Sequence, residues 1–323
     1  MEYFVAKDSI VRKIWSDSDV ILFIFAGASA EFALNKAVDW LYFTGKLPAN
    51  PIGRLFSTVT YAQKIVFSEK QTAIAAIQQI TAIHQSVENK RGAQIPDWAY
   101  RSVLYMLIDY SIKAYEVLKK PLNNQQKQEV FDVFYEMGKQ MNLPDLPHNF
   151  KDWETARAIQ LEEHLIKSNL SEDLYQQYKK HLGLMRYSLL LQVQAKICPP
   201  KVVELLKIKE QGYFKWILNG YKVIKAINLS AFTQGLLPTD NFEFLADFNP
   251  QEALLASLWG ELLEAEVSNS NQSFFELGGN SLKAMRLVSQ IRNQFGVSLR
   301  LREIFTHNTL KEQAVLIQSR QKR

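Results

Sequence analysis

The chain has 323 residues, 47% apolar and 12% aromatic, with 38 Lys and Arg against 33 Asp and Glu for a formal charge of +5. That is the composition of a folded globular protein, long enough for two domains at roughly 150 residues each, and it excludes disordered and collagen-like chains. The surplus charge is no nucleic-acid footprint: six basic residues meet seven acidic ones over 251–318, three more basic residues lie at the end, and no basic stripe interleaves with aromatics.

The most apolar stretch, residues 20–26, follows Asp17 and Asp19 rather than a basic segment. Glu31 interrupts it well before the roughly 20 apolar residues of a membrane span. It reads as a buried helix. Ser68 and Gln71 then form a capping box ahead of the helical stripe Ala73, Ile77, Ile80, His84, Val87. Pro96 opens a second long helix through Val103, Leu107, Ile108, Ile112 and Tyr115, ended by Pro121 after Leu118. Asn123 and Asn124 cap a third, running to Gly138. No stretch alternates as a strand would, so the first domain is mainly α. Cys198 is the only cysteine, which excludes an intrachain disulfide and any CxxC site and fits a reducing, cytoplasmic location.

Residues 236–249 lack periodicity and read as a linker. Asn249, Pro250 and Glu252 combine an N-cap, a first-turn proline and an acidic N3 position, so a new domain starts there. The expected division is 1–235, a linker 236–249, a small helical domain 250–319 and a basic tail 320–323.

In the second domain Phe274-Phe275-Glu276-Leu277-Gly278-Gly279-Asn280-Ser281-Leu282 is followed by Phe295-Gly296-Val297 and Ile304-Phe305-Thr306-His307-Asn308-Thr309-Leu310. Two glycines before a serine are by themselves a turn and a helix start, with Leu282, Met285 and Val288 placed to face a core. The whole set resembles the peptidyl and acyl carrier proteins of nonribosomal peptide and polyketide assembly lines. That resemblance implies a four-helix bundle and makes Ser281 the attachment site of 4′-phosphopantetheine. It also implies a phosphopantetheinyl transferase, an adenylating or acyl-loading enzyme and downstream assembly-line enzymes as partners. The glycines allow close approach to the hydroxyl, and a helix N-terminus favours the phosphodiester that modification installs. A carrier does no chemistry itself. It raises the effective concentration of its thioester cargo near a linked partner.

The first domain has no GxSxG elbow, P-loop or GxGxxG, and no repeated Glu-x-x-His pairs for a di-iron centre. Its scattered motifs are Asn50-Pro51-Ile52-Gly53-Arg54-Leu55 with Thr58, Ile83-His84-Gln85-Ser86-Val87, and Leu107-Ile108-Asp109 with Ala114-Tyr115-Glu116. Together they resemble the rubber oxygenase (latex clearing protein) and MpaB-type haem domain family, from about Phe25 to Trp153. The resemblance implies an all-α fold around a b-type haem, with His84 as proximal ligand and Arg54 and Thr58 on the distal side. From spacing alone a lone histidine such as His84 is more often a packed core histidine than a ligand, Arg54, Thr58 and Tyr61 read equally as a solvated helix face, and Asp109 as half of a helical pair with Lys113. On the functional reading, the Asp109 carboxylate anchors Arg54 or orients a ligand.

Two departures stand out. Asn35-Lys36 replaces a frequent His-Pro, and Ser102-Val103-Leu104 replaces a motif ending in histidine; Ser57 also stands where some relatives have a distal lysine. The expected function is a haem-dependent oxygenase or oxidase acting on an acyl or aminoacyl thioester of its own carrier. The alternative is a degenerate helical domain that docks the carrier to partner enzymes.

Overall fold

The computed structural model describes residues 2–43, 58, 61–212, 214, 250–263, 267 and 269–321, and the expected linker, Arg54 and Asn249 lie outside them. Among the described residues the secondary structure is helical, with only isolated β-bridges. The chain divides into two compact units, Met1–Phe232 and Thr233–Arg323.

The first unit is assembled around one buried helix. After α1 (Ile10–Trp15), α2 (Ser18–Leu34) starts at Asp17, whose side chain accepts from the N–H groups of Asp19 and Val20. It is apolar on nearly every side and therefore buried rather than amphipathic. Short α3 (Val38–Phe43) follows, then α4 (Lys70–Arg91), α5 (Asp97–Leu118), α6 (Asn124–Gln140) and α7 (Phe150–Glu163). The long α8 (Asn169–Ile197) breaks at Gly183 (φ 71°), and α9 (Pro200–Leu206) follows Cys198. α2 packs chiefly against α5 and α8. At the α2/α5 crossing a Cβ on Gly27 would lie 2.3 Å from the Tyr110 ring, so a glycine is what lets the two helices approach. Beyond α2, Ile166 N–H donates to Leu34 O (2.7 Å) and Lys36 N–H to His164 O (2.9 Å), tying α2 to the segment that leaves α7.

Local starts largely follow the expected signals. Asn123 and Gln126 form the capping box of α6, and Pro96 precedes α5. The Ser68–Gln71 box does not form. Glu69 is the N-cap of α4 without a side-chain cap bond, and Phe4 N–H donates to Ser68 O (3.4 Å) instead, drawing Ser68 into pairing with the N-terminal segment.

The second unit holds four helices among its described residues: α10 (Pro250–Leu263), α11 (Ser281–Phe295), α12 (Leu301–Thr306) and α13 (Leu310–Gln321). Leu255, Trp259, Phe274, Leu287, Ile291, Ile304 and Ile317 make its core. Trp259 Nε1 donates to Gln313 Oε1 (3.1 Å), and Gln313 Nε2 donates to His307 O (2.9 Å), which pairs the indole N–H and both ends of the buried amide. Leu282 and Met285, expected in the core, instead point outward, 55% and 51% exposed, while Ala284, Leu287 and Ile291 fill it. The buried stripe is offset by about one residue from the expected one, as the packing of Ala284, Leu287 and Ile291 in the bundle core requires.

Candidate functional site

In the second unit, the chain reaches Ser281 through a tight turn. Gly278 adopts φ 91°, a conformation that L side chains rarely take. Gly279 donates its N–H to Phe274 O (2.9 Å), and a Cβ there would sit 2.4 Å from that oxygen and from the Phe274 ring. Buried Phe274 thus clamps the turn to the core. Asn280 caps α11, its Oδ1 accepting from Lys283 N–H (2.9 Å). Ser281 is the first helical residue and is exposed. The N–H groups of Ser281 and Leu282 have no acceptor within the helix, so a phosphate ester on the hydroxyl would meet free donors and the positive helix end. The hydroxyl is presented for modification from outside, with the turn rather than a pocket holding it in place.

In the first unit, the candidates separate. His84 is half-buried on α4, its ring meeting Tyr100 of α5 edge-on (centroids 5.1 Å, 70° between planes). The Tyr100 hydroxyl donates to Glu88 Oε1 (3.1 Å), which fixes the aromatic neighbour, and burial with the adjoining Glu88 charge raises the Tyr100 pKa. Thr58 is helical and exposed, and Tyr61 is half-buried; Arg54 lies outside the described residues. Among the described residues no three His, Cys, Asp or Glu side chains gather as a bare metal ion requires. A single imidazole at a helix seam, flanked by an aromatic ring and by Ile80 and Val87, is instead a donor set that suits a metal whose other ligands come from an organic ring. The same contact suits a packed core histidine, and a haem ligand at His84 requires only that the imidazole point into an apolar slot.

Asp109 lies in an ionic cluster that joins α2, α5, α7 and the end of α8. Arg157 of α7 donates from Nη2 to Asp109 Oδ2 (2.9 Å) and from Nη1 and Nη2 to Glu31 Oε1 and Oε2 (2.5 and 2.6 Å). Gln160 Oε1 accepts from the same guanidinium at 2.5 Å. Tyr110 donates to Glu31 Oε2 (3.0 Å), and Cys198 Sγ lies 3.7 Å from its hydroxyl. Lys113, on the rim, completes the expected i, i+4 pair with Asp109 (3.0 Å). Glu31, Arg157 and Asp109 are 0%, 4% and 7% exposed. Burial opposes the guanidinium charge, but the carboxylates of Glu31 and Asp109 outweigh it and hold the Arg157 pKa above its ordinary value. Burial pushes the Cys198 thiol up to about 12, so it is no thiolate near neutrality.

Among the described residues the arginine partner of Asp109 is Arg157, while Arg54, the partner expected from the sequence, lies outside them. Neither Arg157 nor Glu31 is a site candidate from sequence alone. Glu31 did carry a signal, since a carboxylate inside an all-apolar helix demands a buried partner. Arg157 carried none, because the α7 sequence reads as an ordinary mixed surface helix.

Similarity to known proteins divides the chain in the same way. Residues 253–317 match the phosphopantetheine attachment site family, and residues 13–218 match the family described as ER-bound oxygenase mpaB/B′/rubber oxygenase, catalytic domain. Bacitracin synthase 2 of Bacillus licheniformis is 36% identical over 108 residues, 32% of this chain and 4% of that protein. Tyrocidine synthase 3 of Brevibacillus parabrevis is 38% identical over 79 residues, 24% of this chain and 1% of that protein. The large subunit of L-2-aminoadipate reductase of Eremothecium gossypii is 39% identical over 72 residues, 22% of this chain and 5% of that protein. The chain spans only a few per cent of these relatives. The first 232 residues form a helical unit matched over most of its length by one family model, so the chain belongs to the mpaB/rubber oxygenase catalytic-domain family and carries a nonribosomal-type carrier domain at its C-terminal side.

Proposed function

We propose that the protein is a haem-dependent oxygenase or oxidase that modifies an acyl or aminoacyl group held as a thioester on the phosphopantetheine arm of its own carrier domain, during natural-product assembly in the cytoplasm. The observation that carries this reading is the joining, in one chain, of an oxygenase-family domain to a serine built into a phosphopantetheine turn. A haem, when bound, supplies redox-active iron for dioxygen chemistry. His84 would hold that iron from α4, with its ring orientation set by packing against Tyr100. Arg54 and Thr58 would supply polar donors to the substrate, and Asp109, held by Arg157, would orient the helix that carries it. Tethering delivers the cargo at high local concentration, so the oxygenase domain needs little affinity for a free acid. A phosphopantetheinyl transferase, a loading enzyme and downstream assembly-line enzymes are the partners this requires. Among the described residues no helix is long and apolar enough to cross a membrane.

A second reading rests on Asn35 and Leu104, which stand where relatives carry histidines. It makes the first domain a non-catalytic adaptor that docks the carrier to other enzymes. One preparation separates the two. Coexpression with a phosphopantetheinyl transferase adds the arm at Ser281, and Ser281→Ala abolishes the addition in the intact-mass spectrum. The same protein shows a Soret band that His84→Ala weakens while the helical circular dichroism persists. A colourless protein after haem-supplemented expression selects the adaptor, and modification that persists in Ser281→Ala defeats the carrier assignment.

A further inference from the structure

Two places on the described surface of the first unit expose large apolar side chains beside strong charge, and their charges have opposite sign. At the break in α8, Leu184 and Met185 are 73% and 66% exposed and are flanked by Lys179, Lys180 and Arg186. On the outer side of α7, Ile159 is 52% exposed between Asp152, Glu162 and Glu163, and Ile166 just beyond the helix is 50% exposed. Asp152, Thr155, Ile159, Glu162 and Glu163 share one stripe at helical spacing. The opposite side of the same helix sends Arg157 and Gln160 into the core, so the stripe cannot turn inward. Glu162 reaches Lys201 (2.7 Å), and the Glu163 carboxylate, 64% exposed, leans toward neighbouring His164 (3.9 Å).

In the second unit, α11 exposes the complementary pattern. Leu282, Met285, Arg286 and Ser289 follow Ser281 along one side of the helix, and Arg292 continues the stripe. The helix carries Lys283, Arg286 and Arg292 and no acidic residue.

We propose that the outer face of α7, centred on Ile159, is a docking surface for a carrier helix of the α11 kind, basic and with two apolar side chains beside the modified serine. Charge complementarity selects it over the α8 break, where lysines and an arginine would face the arginines of such a helix and oppose docking. Ile159 supplies the apolar contact, and Glu163 with Asp152 attracts the guanidinium groups. The inference rests on the reading that the first domain receives carrier-bound cargo, and it places that reception on α7.

The test uses full-length protein, and its cross-linking arm needs neither haem nor cargo. An acceptor chain carries Ile159→Cys together with Arg286→Glu and Arg292→Glu, so that only the donor's helix offers the basic stripe. The donor chain carries Met285→Cys. Mixed under mild oxidation, the two give a disulfide-linked dimer on a non-reducing gel, and a control acceptor with Leu184→Cys in place of Ile159→Cys gives far less. Adding Thr155→Lys and Glu163→Lys to the acceptor lowers the yield about tenfold, as does high salt. These two substitutions sit on the exposed face, and Lys near the helix C-terminus suits its dipole, so they leave the fold intact. Native Cys198 is present in every arm and cancels. Equal yields at Ile159 and Leu184, or a yield indifferent to the added lysines, overturns the proposal. Failure to cross-link in a protein that still turns over a loaded carrier sinks the docking face and leaves the oxygenase reading standing. Selective cross-linking in a colourless protein does the reverse.

Discussion

The two units stabilise their interiors by different means. The carrier core is built mainly from apolar side chains, from Leu255 and Trp259 to Ile317, with the neutral pair of Trp259 and Gln313 inside it and Glu252 and Ser273 also buried in that unit. The oxygenase-family unit places two carboxylates, a guanidinium, a phenol and a thiol where its central helices meet. An apolar core is the less demanding solution, because taking ions out of water costs several kcal/mol each before pairing returns any of it. On the proposed function the carrier can use it because its chemistry is external: the exposed Ser281 needs only the turn behind it. In the larger unit the function attributed to it lies between helices, and a bidentate ion cluster fixes how α2, α5 and α7 meet more narrowly than apolar contact does.

This contrast is broken most severely at Arg157. Arg157→Met strands Glu31 and Asp109 as buried charges, and the expected loss is about 3–5 kcal/mol, measured by urea unfolding of the full chain. Replacing the cluster as a whole, with Glu31→Met, Asp109→Leu, Tyr110→Phe and Arg157→Met together, restores most of that stability. If the single and combined variants are equally unstable, the cluster does not act as one electrostatic unit.

A smaller effect is expected at the carrier turn. Gly279→Ala forces a methyl group against Phe274 and its carbonyl oxygen, at a cost of about 1–3 kcal/mol. The turn shifts before the bundle unfolds, so modification of Ser281 by a phosphopantetheinyl transferase slows more than the melting temperature falls. Unchanged modification kinetics in this variant would show that the turn does not position the serine.

The smallest effect concerns His164, stacked on Trp98 (4.2 Å, 12° between planes). Burial, opposed by Glu163 and aided by the positive charges of Lys36 and Arg101, holds its pKa below the ordinary 6.5. The folded state then binds fewer protons than the unfolded state in this window. The stabilising contribution is complete above the ordinary value and is lost as pH falls through it toward the lower native value. His164→Phe keeps the stack and flattens that acid-side slope in pH-dependent unfolding, whereas an unchanged slope assigns it to other groups.

Much of this architecture was legible in the sequence. The start of α6 at Asn123, the start of α5 after Pro96 and the burial of α2 follow from local capping and apolar content, which act within a few residues. The carrier turn was legible as well, because its geometry depends on contiguous residues, Phe274 to Ser281. The rotation of α11 was not. Leu282 and Met285 are apolar, and only the packing of Ala284, Leu287 and Ile291 against α10 shows which side turns inward.

Short-range spacing and contiguous motifs were enough for the helical class, the carrier resemblance and the candidacy of Ser281, while the oxygenase-family resemblance and the candidacy of His84 came from the order of several short motifs along the chain. Which arginine meets Asp109 depended on the packing of helices far apart in the chain. Arg157 lies 48 residues from Asp109 and 126 from Glu31, and nothing local to it distinguishes it from a surface residue. The physical reason is desolvation: once α2 is buried on all sides, Glu31 must find a cation within hydrogen-bond reach, and only the crossing of α7 brings one there.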